Sequence, residues 1–196
     1  MFRDITQAVE VTQGHLKALE GWRQAQGADE SRRLRQVSPE AGKLLAILLA
    51  SCPPGDAVEL GSGGGYSGLW LALACRATRR RLVTFERDPN KAALARHCFE
   101  AGDVLDFVEL REAEGLAGLG EVSGVSFCFI DAEPSLAREA YEAVLPLLPS
   151  GGIVAVGDAI ERASEFQGFL DDAEMDPRVD ALIVPIGSGL LVCRKV

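Results

Sequence analysis

The chain has 196 residues, 47% of them hydrophobic and 25% charged, the proportions of one globular domain with a sizeable core. Its formal net charge of -9 argues against nucleic acid as a partner, because no broad basic face is available to a phosphate backbone. No apolar run is long enough to span a membrane and no signal pattern is visible, so a cytoplasmic protein acting on a small molecule is expected.

Residues 2–26 are polar with apolar side chains at helical spacing (Ile5, Val9, Leu16, Leu19, Trp22), which predicts an amphipathic helix. That helix would cap a ligand cleft or pack on a partner subunit. The basic burst over 30–35 reads as a solvated helix face or as a clamp for an acidic substrate group. Ser38-Pro39-Glu40 starts a second helix, with Ser38 as N-cap, and Pro53-Pro54-Gly55 ends it. Residues 1–50 are therefore read as a helical cap segment and 51–196 as the ligand-binding part of a single domain. The five cysteines (Cys52, Cys75, Cys98, Cys128, Cys193) show no C-x-x-C spacing, which predicts buried thiols rather than disulfides or zinc.

Strand and helix signals then alternate. An apolar strand over 57–60 runs into a glycine-rich turn and a helix over 66–75. Strand 81–85 closes on Glu86, and a helix runs from Asp88-Pro89 to Gly102. Next come strand 104–110, a short helix over 112–119, and strand 125–130 ending on Asp131. Helix 135–148 leads through a turn to strand 153–156, which ends in Gly157-Asp158, and a polar helix over 160–173 follows. The alternation predicts a parallel α/β sheet with helices on both faces. The last two strands, 181–186 and 190–196, are joined only by Gly187-Ser188-Gly189, so they must form an antiparallel hairpin.

The glycine turn is the candidate ligand cradle. Its glycines let the backbone lie close to a ligand, and the free N–H groups of the following helix face any anionic group held there. A dinucleotide fingerprint G-x-G-x-x-G counted from Gly61 fails at Tyr66; counted from Gly63 it is met (Gly63, Gly65, Gly68) but starts late. Counted from the acid, the stretch is E-x-G-x-G-x-G: Glu59, Gly61, Gly63, Gly65. That pattern resembles the first motif of class I S-adenosylmethionine (SAM) methyltransferases. A carboxylate at the strand end can hold an ammonium, and the helix amino end a carboxylate. Glu86, 18 residues past Gly68, is placed to accept ribose hydroxyls. Asp131 and Asp158 close adjacent strands, where they either share a hard cation such as Mg²⁺ or act as helix N-caps.

From residue 36 onward the chain resembles the catechol and caffeoyl-coenzyme A type O-methyltransferases of bacteria. The matching stretches are Q-V-S-P-E-A-G from Gln36, V-E-L-G-S-G-G-G-Y-S-G-L-W-L-A from Val58, F-I-D-A from Phe129, L-L-P-S-G-G-I-V-A-V-G-D from Leu147, and P-I-G-S-G-L from Pro185. The resemblance implies a Rossmann-like α/β fold, a seven-stranded mainly parallel sheet with an antiparallel C-terminal hairpin and helices on both faces. It implies SAM as cofactor, with Glu59, Gly61, Ser62, Gly63, Tyr66 and Ser67 around the methionine part. Glu86 would meet the ribose with Arg87 beside it, and Ala113 and Glu114 would lie near the adenine. Asp131 would sit beside the transferred methyl and, with Asp158, at the metal position. Family members often pair through their N-terminal helices, which implies a homodimer.

The chain also departs from that pattern. Pro134 stands where the family carries a catalytic Lys, Ala159 where it carries an Asn metal ligand, and Arg35 where Met is common. The expected activity is therefore SAM-dependent O-methylation of a small phenol-like, catechol-like or acidic substrate, with weak or no help from Mg²⁺. Glu133 and Asp158 are the candidate bases. Two other readings stay open: a SAM-binding sensor or partner subunit without catalysis, and an NAD(P)-dependent oxidoreductase resting on the offset glycine register.

Overall fold

A computed structural model describes Glu10, Gly14 and Lys17, all helical, and residues 36–196. The rest of the expected helix over 2–26, the basic burst over 30–35 and the dimer contact assigned to this segment lie outside the described residues.

Strands β1 (Asp56–Leu60), β2 (Leu82–Phe85), β3 (Val108–Arg111), β4 (Val125–Ile130) and β5 (Ile153–Val156) pair in parallel. With β6 (Val179–Val184) and β7 (Leu190–Lys195) they make a seven-stranded sheet in the order β3-β2-β1-β4-β5-β7-β6. β7 lies between β5 and β6 and is antiparallel to both. Because side chains alternate along a strand, each central strand feeds two core layers. Ala57, Phe127, Phe129 and Ala155 belong to one layer, and Val58, Leu60, Cys128 and Val154 to the other. Helices α1 (Pro39–Ser51), α2 (Tyr66–Thr78) and α3 (Pro89–Ala101) cover the first layer. The single turn α4 (Gly115–Gly118), α5 (Pro134–Val144) and α6 (Phe169–Glu174) lie on the second. All five cysteines are free and buried.

The helix starts follow their expected chemistry. Ser38 Oγ accepts the Ala41 N–H at 3.1 Å, and Asp88 Oδ1 accepts those of Asn90 and Lys91. Pro39, Pro89 and Pro134 each open a helix where no N–H is needed. Helix α1 sits flush on α2 because Gly42 faces the Trp70 ring: a Cβ at Gly42 would lie 2.2 Å from an indole carbon. Trp70 is itself buried, so the ring has little room to retreat. Gly42→Ala is expected to cost about 1–3 kcal/mol by overpacking, read as a lower denaturant midpoint with an unchanged slope.

Several element boundaries differ from expectation, each for a local reason. The strand expected over 104–110 begins as a 3₁₀ turn, Leu105–Phe107, because fully buried Val104 anchors the chain before β3. The helix expected over 112–119 shrinks to α4 and a 3₁₀ turn, Leu119–Glu121, in a stretch weakened by Gly115, Gly118 and Gly120. Pro146 stops α5 at Val144 and leaves a 3₁₀ turn, Leu145–Leu147. The helix expected over 160–173 is broken: Gln167 (φ 51°) and Gly168 (φ 79°) adopt left-handed backbone between the 3₁₀ turn Ala163–Phe166 and α6. β6 runs Val179–Val184 rather than 181–186, since Pro185 cannot donate to the ladder.

Candidate active site

The carboxyl ends of the parallel strands share one rim. Register places Leu60 beside Phe85 and Ile130, and Ile130 beside Val156. The chain leaves that rim through Gly61, Glu86, Asp131 and Gly157, and a cleft of about 170 Å³ opens above it. Ligands of open parallel sheets bind at this rim. Gly61, Ser62, Gly63, Tyr66, Ser67, Glu86, Arg87, Ala113, Glu114, Asp131, Glu133 and Asp158 all line the cleft. Glu59 does not.

The glycine turn is shaped by close approaches. Gly61 (φ 95°) would set a Cβ 2.5 Å from the Asp131 carbonyl oxygen, and Gly65 (φ 85°) would set one 2.7 Å from Ala95 Cα. Both contacts are with backbone, which cannot swing aside. Gly65 is the N-cap of α2 and brings no side chain to that helix end, so the first-turn N–H groups stay accessible. Ser62 Oγ is buried without a hydrogen-bond partner, a polar atom that a ligand in the cleft can satisfy.

Glu59 corrects the expectation of direct ligand contact. The pleat turns its side chain under α2, where one oxygen accepts from Ser67 Oγ and the other from Thr84 Oγ1, both at 2.6 Å. Burial pushes its carboxyl up to about 7, against the lowering effect of those two hydroxyls. Gly68 makes room for it, since a Cβ there would meet Glu59 Oε2 at 2.7 Å. Glu59 thus ties α2 to β1 and β2 from beneath the turn.

Glu86 follows β2 and lines the cleft. Its Oε2 accepts the Gly63 N–H and its Oε1 the Asp88 N–H, each at 2.8 Å, and it is buried at the cleft wall. Each oxygen retains acceptor capacity for a hydroxyl. Arg87 and Glu114 pair with each other at 3.1 Å across the mouth, both well exposed. Ala113 begins the short segment that carries Glu114 and α4 over this end of the cleft.

At the other end stand Asp131 and Asp158. Asp158 has left-handed backbone (φ 59°), a conformation that Asp adopts more readily than most residues other than glycine. Glu133 accepts from Arg162 Nη2 at 3.0 Å, and Arg162 Nη1 lies 3.8 Å from Asp158 Oδ2. Pro134 is buried as the first residue of α5, and Ala159 is buried in the second core layer. Among the described residues no group of three His, Cys, Asp or Glu side chains gathers as a metal site. Mg²⁺ asks for six oxygens in near-octahedral array. Two carboxylates, one of them 3.8 Å from a guanidinium, with Ala159 offering no side-chain oxygen, are a poor donor set for such a cation, whereas the glycine turn, Ser62 and Glu86 do fit an adenosyl amino acid.

This rim and sheet order define a Rossmann-like methyltransferase architecture. The chain belongs to the O-methyltransferase family, whose model matches residues 12–196. Its cofactor is SAM, and the nicotinamide reading falls away. A probable O-methyltransferase of Mycobacterium tuberculosis is 34% identical over 176 residues, 81% of this chain and 77% of that protein. The chain also resembles the O-methyltransferase of Bacillus cereus solved in complex with S-adenosylhomocysteine: 24% identity, TM-score 0.75, covering 96% of this chain and 90% of that one. A SAM complex of TomG from Streptomyces achromogenes gives 23% identity and TM-score 0.73 over 92% and 89% of the two chains. At these identities the two structures support the fold.

Sequence reasoning missed Arg162, Lys91 and Gln36, which also line the cleft. Arg162 stands in the region over 158–177 that no motif marks. A signal was present in its spacing, since a residue four after Asp158 returns to the same side of a helical turn.

Proposed function

We propose that the protein transfers the methyl group of SAM to a hydroxyl oxygen of a small phenol-like, catechol-like or otherwise acidic acceptor, with weak or no help from a divalent cation. The observation that carries this reading is the placement of Glu86, Asp131 and Asp158 around the glycine-turn cleft. SAM supplies an activated methyl, so the protein must chiefly align the acceptor, exclude water and accept a proton. In this reading Gly61, Ser62, Gly63, Tyr66 and Ser67 surround the methionine part. Glu86 takes the ribose hydroxyls, and Ala113 and Glu114 lie by the adenine. Asp131 borders the methyl. Asp158 is the base, favoured over Glu133 because Arg162 hydrogen-bonds Glu133 at 3.0 Å but stands 3.8 Å from Asp158, beyond hydrogen-bond reach.

The test is a calorimetric titration with S-adenosylhomocysteine, with Mg²⁺ and with chelator, followed by methylation of a phenol, catechol and acyl-coenzyme A panel. Equal binding in both media, and turnover that survives the chelator, are expected. Asp158→Asn should lower turnover by about 10²-fold or more while leaving S-adenosylhomocysteine affinity within about twofold, as loss of a general base does. Unchanged turnover would remove Asp158 from the base role.

A further inference from the structure

Arg162 is held as few surface arginines are. Its side chain is only 16% exposed. Nε donates to Glu165 Oε1 at 2.8 Å, and Nη2 to Glu165 Oε2 at 2.7 Å and Glu133 Oε2 at 3.0 Å. Its backbone N–H bonds the Asp158 carbonyl at 3.0 Å, fixing the turn that carries it back to the rim. Two of the three guanidinium nitrogens are therefore anchored. The third, Nη1, makes no hydrogen bond to a described residue, and Asp158 Oδ2 stands 3.8 Å from it. Both of its N–H groups remain donors for a ligand in the cleft that Arg162 lines. The other cleft-lining cations among the described residues, Arg87 and Lys91, follow β2, at the Glu86 end.

We infer that the Arg162 guanidinium is the fixed cation of this site, holding the ionised oxygen of the acceptor between Nη1 and the transferred methyl. The inference rests on the activity proposed above and names the acceptor as an oxyanion. A guanidinium stays charged at every working pH and donates from a planar fork, so it lowers the pKa of a bound phenol as a metal ion would, without coordination. Asp158, beside Nη1, takes the acceptor proton and passes it to solvent. The oxyanion lone pair then forms the O–CH₃ bond, the C–S bond breaks with its electron pair left on sulfur, and neutral S-adenosylhomocysteine results. Glu165 and Glu133 position the guanidinium and do not touch the acceptor.

The probe is 4-nitrocatechol, whose absorbance reports its own ionisation, added to the full chain saturated with S-adenosylhomocysteine in the presence of chelator. In the wild type the bound probe should ionise with an acid dissociation constant raised by about tenfold or more, the effect of a neighbouring opposite charge. Arg162→Gln should abolish that shift with S-adenosylhomocysteine affinity unchanged, and Arg162→Lys should keep part of it. Glu165→Gln removes an anchor but leaves the cation, so the shift should persist there, which a merely structural arginine would not predict. No shift in the wild type, the same shift in Arg162→Gln, or a shift that needs added Mg²⁺ would each overturn the inference. Failure of S-adenosylhomocysteine to bind the wild type would instead overturn the cofactor placement on which it rests, and the inference with it.

Discussion

Glu86→Ala is expected to weaken S-adenosylhomocysteine binding by about a hundredfold, the loss of two hydrogen bonds to a charged group at ~1.5 kcal/mol each. The carboxylate does two things at once. It holds the glycine turn through the Gly63 N–H and the start of α3 through the Asp88 N–H, each at 2.8 Å. It also presents its remaining lone pairs to the cleft, where the proposed ribose hydroxyls lie. Alanine removes both, so the turn loses its tether as the ligand loses its acceptor. Glu86→Gln keeps one acceptor oxygen and should cost only about tenfold, since the charge assistance is lost but a hydrogen bond survives. Titration calorimetry on both variants, with melting curves to show that the fold persists, separates the two contributions. Affinity within about threefold of wild type in Glu86→Ala would place the ribose elsewhere.

A second large effect should appear in the pH dependence of stability. Glu59 is fully buried, and burial raises its carboxyl from 4.5 to about 7. The folded protein therefore holds a proton on Glu59 between those values while the unfolded chain has given it up. Folding takes up that proton, so this contribution is complete below about pH 4.5 and is lost as pH rises through about 7. The loss is on the order of 3 kcal/mol across the window. Carboxyls that ion pairs hold low, such as Asp176 beside Arg178, act in the opposite sense and only at more acid pH. Glu59→Gln is close to isosteric, can still bond the hydroxyls of Ser67 and Thr84, and has no proton to lose. Chemical denaturation of the two proteins from pH 4.5 to 8 should show wild type losing ground to Glu59→Gln as pH rises. Parallel curves would mean that Glu59 ionises in the folded state as it does in water.

Much of this arrangement was legible in the sequence because it depends on local chemistry. The strand, glycine turn and helix around Gly61 are written in a short contiguous stretch, and the acids that end β2, β4 and β5 can be counted off directly. A link too short for a crossover made the terminal hairpin certain, although Pro185 moved its first strand by two residues. Glu59 was misjudged because its motif position says nothing about the pleat, and the pleat faces it into α2 rather than the cleft. The broken helix before β6 was missed because Gln167 adopts a left-handed backbone that its residue type does not announce. Arg162 was missed because its importance lies in three partners, of which Glu133 is 29 residues away and can be found only in space.

The position of β7 between β5 and β6 has a consequence for how the chain is made. β6 leaves the ribosome first, yet its sheet partner is β7, which is still to come. Until β7 emerges, the outer edge of β5 stands open and β6 has nothing to pair with. Open edges of this kind recruit other chains. The hairpin closes that interval quickly: the two strands are joined by five residues, 185–189, so β6 and β7 can zip together and dock on β5 as one unit. The loop that completes the sheet also supplies the Ser188 and Gly189 carbonyls that receive the N–H groups of Ile160 and Ala159, just past Asp158. The cleft rim is thus fastened by residues made after every strand but β7, and a nascent chain acquires its site only when its sheet is whole.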